Sequence, residues 1–302
     1  MFELVGEKHW NPATVSWTSQ ATMTLGLVCV YVVLDVDLSG GPNTNYFVFP
    51  TTDMEGLYAQ LDSWNLELGQ LDLGERASGQ KVFAYIAMAS RKDPGNERLS
   101  PTGQTNMQIM TLAPRGLDWW GVETAPGDGG RYRRNPTYRK RKEDLTNALL
   151  DAAQRVLGDQ LNGESIRDHI VHLETATPLS HERYTNATGG TSYGYLHSPE
   201  QSGDSRPQHI TEIEGLWLVG ANTTSGHGIA GAMAGGVTCA GEILERPLLI
   251  EMIMGAALVD PERIPPDPDG FDPMEWSRGQ RLRDARSAGR DSRTGSTGRG
   301  IR

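Results

Sequence analysis

The chain has 302 residues, of which 37% are hydrophobic and 22% charged, and its formal net charge is −10. This length allows a sizeable core, arranged as two lobes, and the acidic balance argues against nucleic acid as the main partner. The charge is uneven: residues 278–302 hold eight Arg and two Asp, so this tail contributes +6 and the remainder −16.

Met1–Trp10 lacks a basic end followed by an apolar core, so no secretory signal is expected. The apolar run from Leu25 to Leu34 is too short to span a bilayer. Its neighbourhood, Leu25 to Leu38, is rich in Val and Leu and predicts a central strand. Ser39-Gly40-Gly41-Pro42-Asn43 is a turn, and Phe47-Val48-Phe49 a second short strand. Met54 to Leu66 reads as a helix behind a Thr51/Thr52/Asp53 cap. Lys81–Ser90 and Asn106–Ala113 are strands, with a polar loop, Arg91 to Thr105, between them. Tyr138 to Leu157 is the clearest amphipathic helix, with Leu145, Leu149, Ala152, Ala153 and Val156 on one stripe. Ile166 to Leu173 is a strand leading into Thr177-Pro178. Cys29 and Cys239 lie far apart in apolar stretches and read as two buried free thiols of a reducing compartment, which suits a cytoplasmic protein.

The most telling stretch comes late. Gly215-Leu216-Trp217-Leu218-Val219-Gly220-Ala221 is followed at once by Gly226-His227-Gly228-Ile229-Ala230-Gly231. Leu216 to Val219 suits a strand covered on both faces. Ala230 to Leu244, rich in Ala, Gly and Met, predicts a helix packed closely on its neighbours. Glycines without Cβ atoms let a ligand approach the backbone, and the helix N-terminus would aim free N–H groups at an anion. A nucleotide or flavin site follows. The alternative is a glycine-rich packing turn with no ligand. The usual dinucleotide fingerprint opens a βαβ unit and has an acid at the end of a second strand. Here Arg246-Pro247 follows instead, so this segment would close over a cofactor held mainly elsewhere.

In these residues the chain resembles the phytoene desaturase-like flavoproteins, which include carotenoid isomerases and retinol saturases. Ala176-Thr177-Pro178-Leu179-Ser180 resembles the family's T-P segment, and Gly190-Thr191-Ser192-Tyr193-Gly194 its G-x-x-Y-G segment. Arg206-Pro207 precedes the late motif, as it does in the family. The resemblance covers about residues 20 to 246 and implies FAD as cofactor. It implies that Gly220, Ala221, Gly226, His227, Gly228, Ile229, Gly231 and Ala232 border the flavin, and that Thr177, Pro178, Tyr193 and Gly194 border an apolar, polyene or isoprenoid-like substrate. It leaves His227 as the candidate acid or base, or as a packing residue. The family's N-terminal strand, G-x-G-x-x-G turn and helix have no counterpart before residue 215. The chain is thus expected to match the C-terminal part of such a protein: a split subunit, a truncated product or a misplaced start.

Other patterns have plainer readings. Gly190-Thr191-Ser192-Tyr193-Gly194 also matches the G-x-S-x-G nucleophile elbow, with Asp204 and His209 or His227 downstream in triad order. The elbow needs a strand before the Ser and a helix after it, and both flanks here read as loops. His169 and His172, with Glu174, have too few companions for a metal set, and no metal is expected. The basic run Arg131 to Lys142 reads as a solvated helix start, or as a surface that docks on anionic lipid at the membrane periphery.

The expected fold is α/β of mixed α+β type: a partial Rossmann-like FAD fold with a mixed-sheet substrate domain. The expected organisation is a substrate domain at 1–175, an FAD-binding segment at 176–246, an extended wrap at 247–277 and a disordered Arg-rich tail at 278–302. The expected function is an FAD-dependent oxidoreductase acting on carbon–carbon bonds of an apolar substrate by desaturation, saturation or isomerisation. The alternatives are a flavin amine oxidase-like enzyme, and a non-catalytic fragment or subunit that binds FAD only with a separate N-terminal chain.

Overall fold

The architecture is set by one five-stranded sheet with a long helix on its inner face. The computed structural model describes residues 2, 4–49, 52–53, 82–114, 116–123, 130–260 and 262. The predicted helix Met54–Leu66 and the Arg-rich tail lie outside them. The strands are β1 (Leu27–Leu34), β2 (Tyr46–Val48), β3 (Ala84–Ala87), β4 (Thr105–Leu112) and β5 (Ile170–Ala176), in the order β2-β3-β4-β1-β5. Every pair in this sheet is antiparallel. That corrects the expected mixed sheet, and no parallel, Rossmann-like pair occurs among the described residues.

β1 is an interior strand, paired on both sides, and its β-branched run has apolar side chains for both faces. Val28, Val30, Val32 and Leu34 point inward and are buried. On the other face the register places Phe47, Tyr85, Met110 and Cys29 in one row across four strands. Cys29 is buried there, and burial pushes its thiol up to about 11. Phe47, at the edge, is 59% exposed.

The helices are α1 (Pro12–Gln20), α2 (Ala89–Lys92), α3 (Pro136–Leu157), α4 (Pro178–Thr185), α5 (Gly228–Ile243) and α6 (Leu248–Ile253). α3 starts where the Asn135 side chain accepts the Tyr138 N–H at 3.2 Å and Pro136 occupies the first turn. Its stripe of Leu145, Leu149, Ala152, Ala153 and Leu157 packs with the inward residues of the sheet and with Trp119 and Trp120. Each fully buried Leu or Ile there contributes about 1.5–3 kcal/mol.

Several boundaries differ from expectation. β3 gives way to α2 at Ala89, so the predicted strand to Ser90 is shorter. Ile166–His169 is a 3₁₀ turn, and the strand begins at Ile170 and runs on to Ala176. The expected wrap beyond Pro247 opens with the helical residues of α6. By contacts the chain divides into two units, Met1–Leu249 and Ile250–Arg302.

Candidate functional site

Residues 22–26, the run-in to β1, hold the loop that carries Tyr193. Gly194 O accepts from Thr24 N at 2.8 Å, Leu196 N donates to Thr22 O at 2.8 Å, and the Thr24 and Thr191 hydroxyls meet at 2.6 Å. Isolated bridges join Met23 to Tyr195 and Gly26 to Thr191. The loop thus continues the sheet without becoming a strand. Gly194 has φ +73°, and Asn222 Oδ1 stands where a Cβ would be, so only glycine fits. The same Asn222 oxygen accepts Tyr195 N at 3.0 Å, which ties the Tyr193 loop to the glycine-rich segment.

Arg206 organises the segment from below. It is 3% exposed and donates to Gln201 O at 2.6 Å, Ala221 O at 2.9 Å and Tyr195 O at 2.5 Å. A planar guanidinium is suited to this: it gathers three carbonyls from three loop positions. His209 is the second buried polar anchor, with Nδ1 2.8 Å from Leu218 O and Nε2 3.0 Å from Ser225 Oγ.

The stretch 216–219 is not the strand expected from its hydropathy. Only Trp217 makes a bridge, to Ile210. Trp217 is 42% and Val219 60% exposed, so it is not covered on both faces. Without a full partner strand the run is satisfied piecemeal: Leu218 N donates to His209 O, Thr211 Oγ1 donates to Leu216 O, and His209 Nδ1 meets Leu218 O, each at 2.8 Å.

α5 forms as predicted but is not closely packed. Of its residues only Gly235, Cys239 and Gly241 are buried, while Ile229 is 84% and Met233 68% exposed. It starts at His227, its N-cap residue, and the exposed first turn is Gly228, Ile229 and Ala230. A helix start leaves backbone N–H groups without intrahelical partners and carries partial positive charge. Gly231 is a contact position: a Cβ would lie 2.8 Å from Ser225 O and 2.9 Å from Gly226 O.

At this helix start the structure brings together residues from two loops. The His227 and Tyr193 rings are 4.7 Å apart, and His227 Nδ1 is 2.6 Å from His197 Nε2. Partial desolvation, helped by Arg206 and His227, holds the His197 pKa below the usual histidine range. Gly220, at φ +97°, and Gly228, at φ +78°, have open space where a Cβ would be, so a ligand can approach their backbone. Ala221 lies between, its carbonyl held by Arg206. Ala232 is exposed and Gly226 buried beneath the turn.

Thr177 and Pro178 sit differently. Thr177 is fully buried, its Oγ1 is 3.1 Å from the Tyr138 hydroxyl, and it caps α4 in a capping box with Ser180. Pro178 is buried against Gly26 and Gly190. Both side chains are engaged inside the protein. His197 and Asn222 carry no signal in the sequence, because no spacing rule links them to residues 215–231, and His209, noted there only in triad order, is a buried anchor of the turn.

Ser192 follows a 3₁₀ turn, Thr188–Gly190, and no helix follows it, so the elbow geometry is absent. His169 is bonded by both ring nitrogens, to Asp35 and Glu164, each at 2.9 Å. Among the described residues no group of three or more His, Cys, Asp or Glu is placed to hold a metal. Part of the basic run is used locally: Lys140 pairs with Asp144 at 2.7 Å, and Arg141 stacks 4.6 Å over Trp119. No helix among the described residues is long and apolar enough to cross a membrane.

No family profile matches the chain. Individual proteins do. It is 27% identical over 259 residues to the all-trans-retinol 13,14-reductase of Macaca fascicularis, covering 82% of this chain and 38% of that protein. The Danio rerio all-trans-retinol 13,14-reductase is 27% identical over 212 residues, 68% of this chain and 31% of the relative. A 4,4'-diapophytoene desaturase of Staphylococcus aureus is 23% identical over 206 residues, 66% of this chain and 34% of the relative. The chain is a distant relative of retinol saturases and phytoene desaturases. These are the groups whose motifs it resembles. The chain spans about a third of the length of the curated relatives it matches. One relative is named a reductase and another a desaturase, so both are oxidoreductases.

Proposed function

We propose that the chain is part of an FAD-dependent oxidoreductase that acts on carbon–carbon bonds of an apolar polyene. The observation that carries this is the exposed start of α5, with open glycine backbone at Gly220 and Gly228 and with His227 and Tyr193 beside it. The distant similarity to a retinol reductase and a diapophytoene desaturase supports the same reading. Bound FAD would supply the hydride-accepting or hydride-donating ring. The chain's own residues would do the rest. Backbone N–H groups of the first turn of α5 would stabilise negative charge at the ring edge. Tyr193 and His227 would offer flat surfaces against it. The outward row Phe47, Tyr85 and Met110 would give an apolar, partly aromatic face suited to a polyene.

A second feature favours a partner. Ile229, Met233, Val219 and Trp217 form an exposed apolar set around the glycine-rich turn. We propose that the ADP-binding part of the cofactor site comes from a separate dinucleotide-binding polypeptide that covers this set. Peripheral contact with a membrane, where such substrates reside, belongs to the same proposal.

The test is the visible spectrum of the chain after incubation with FAD and desalting, alone and with a dinucleotide-binding domain from a related desaturase supplied in trans. Retained flavin absorbance in either sample, reduced in amount by Gly228→Val, is the expected result. Loss of all flavin from both samples would sink the proposal.

A further inference from the structure

His197 and His227 come from different loops and meet ring to ring at the start of α5. Their centroids are 4.3 Å apart with planes at 72°, and His227 Nδ1 lies 2.6 Å from His197 Nε2. Tyr193 lies against the ring of His227, at 4.7 Å and 60°. At 2.6 Å two imidazole nitrogens hold a single hydrogen: one must donate and the other accept.

Which one donates follows from the surroundings. His227 is the N-cap residue of α5, and Nδ1 is its ring nitrogen nearest the backbone. The positive end of the helix favours a lone pair there rather than an N–H. We infer that His197 is a positioning residue: its Nε2–H donates to His227 Nδ1 and so leaves His227 with its own proton on Nε2.

Partial desolvation, with Arg206 as the neighbouring cation, disfavours a charged His197. His227 then presents a fixed N–H at the exposed helix start, a donor available to negative charge held there. Only this last consequence rests on the flavin reading above. The tautomer itself is a property of the chain alone.

The test is long-range ¹H–¹⁵N correlation of ¹⁵N-histidine-labelled chain at neutral pH, without flavin, with the His227 signals assigned through His227→Asn. The expected spectrum shows His227 as a single tautomer protonated at Nε2. In His197→Phe that signal should relax to the tautomer mixture of free imidazole, and in His197→Gln, whose amide can still donate, the Nε2–H form should return. A wild-type His227 protonated at Nδ1, or a tautomer mixture indifferent to His197→Phe, overturns the inference. The wild-type spectrum decides the direction even if a variant fails to fold. Because no flavin is present, a negative result here leaves the FAD proposal to stand or fall separately.

Discussion

Arg206 donates to the carbonyl oxygen of Ala221 at 2.9 Å from a position that is 3% exposed. The same guanidinium holds Gln201 O and Tyr195 O, so one side chain ties the loop before it to the glycine-rich segment after it. Arg206→Met should leave the buried Tyr195 carbonyl and the half-buried carbonyls of Gln201 and Ala221 without these donors and cost about 3 kcal/mol. Arg206→Lys should recover only part, since an ammonium cannot span the same fork. The urea midpoint of each variant measures this. Equal midpoints for wild type and Arg206→Met would remove Arg206 from its structural role.

Two glycines of one helix should respond in opposite directions. Gly→Ala in an exposed helix interior ordinarily stabilises by about 1 kcal/mol. At Gly236 a Cβ meets nothing within 4 Å, so Gly236→Ala should stabilise. At Gly231 the new methyl would lie 2.8 Å from Ser225 O, so Gly231→Ala should destabilise by about 1–3 kcal/mol. Thermal unfolding of the two variants side by side tests the contact, and the same sign for both would refute it.

Leu149 is fully buried between α3 and the sheet. Leu149→Ala should cost about 2–5 kcal/mol, by lost burial and the cavity left behind. The site at the start of α5 should keep its geometry, so the His227 tautomer should be unchanged while the urea midpoint falls.

His169 bridges Asp35 and Glu164, and the hydrogen bond to Asp35 is the first cause that raises its pKa. A raised pKa means that the folded state binds the proton more tightly than the unfolded state. The stabilisation is fully present below the unfolded histidine pKa of about 6.5 and is lost as pH rises through the folded value. The destabilisation caused by His169→Gln should therefore be greater at about pH 6 than at about pH 9. Urea titrations of both proteins at the two pH values check it, and a pH-independent difference would count against the bridge.

Much of the sheet was legible from residue order. The Val-rich run at 27–34, the alternation at 105–112 and the stripe of 136–157 each specify their element, because one face must be buried and the period fixes which. The helix 228–243 was legible too, within two residues at its start. The run 216–219 misled because hydropathy reports a preference for burial, not the presence of a partner strand. The engagement of the Thr177 hydroxyl with Tyr138 was not legible, because the two lie 39 residues apart in the chain.

Residue order alone located most of β1, β3 and β4, the long amphipathic helix, the two buried thiols and the likeness to polyene oxidoreductases. Those rest on local periodicity, or on motifs contiguous in the chain. The antiparallel pairing of the strands came from the fold. Only the tertiary structure decided that His197 meets His227, that Asn222 holds the Tyr193 loop, and that Arg206 and His209 anchor the glycine-rich turn. These contacts join residues separated by loops of irregular length, and such loops carry no period from which a meeting of side chains follows.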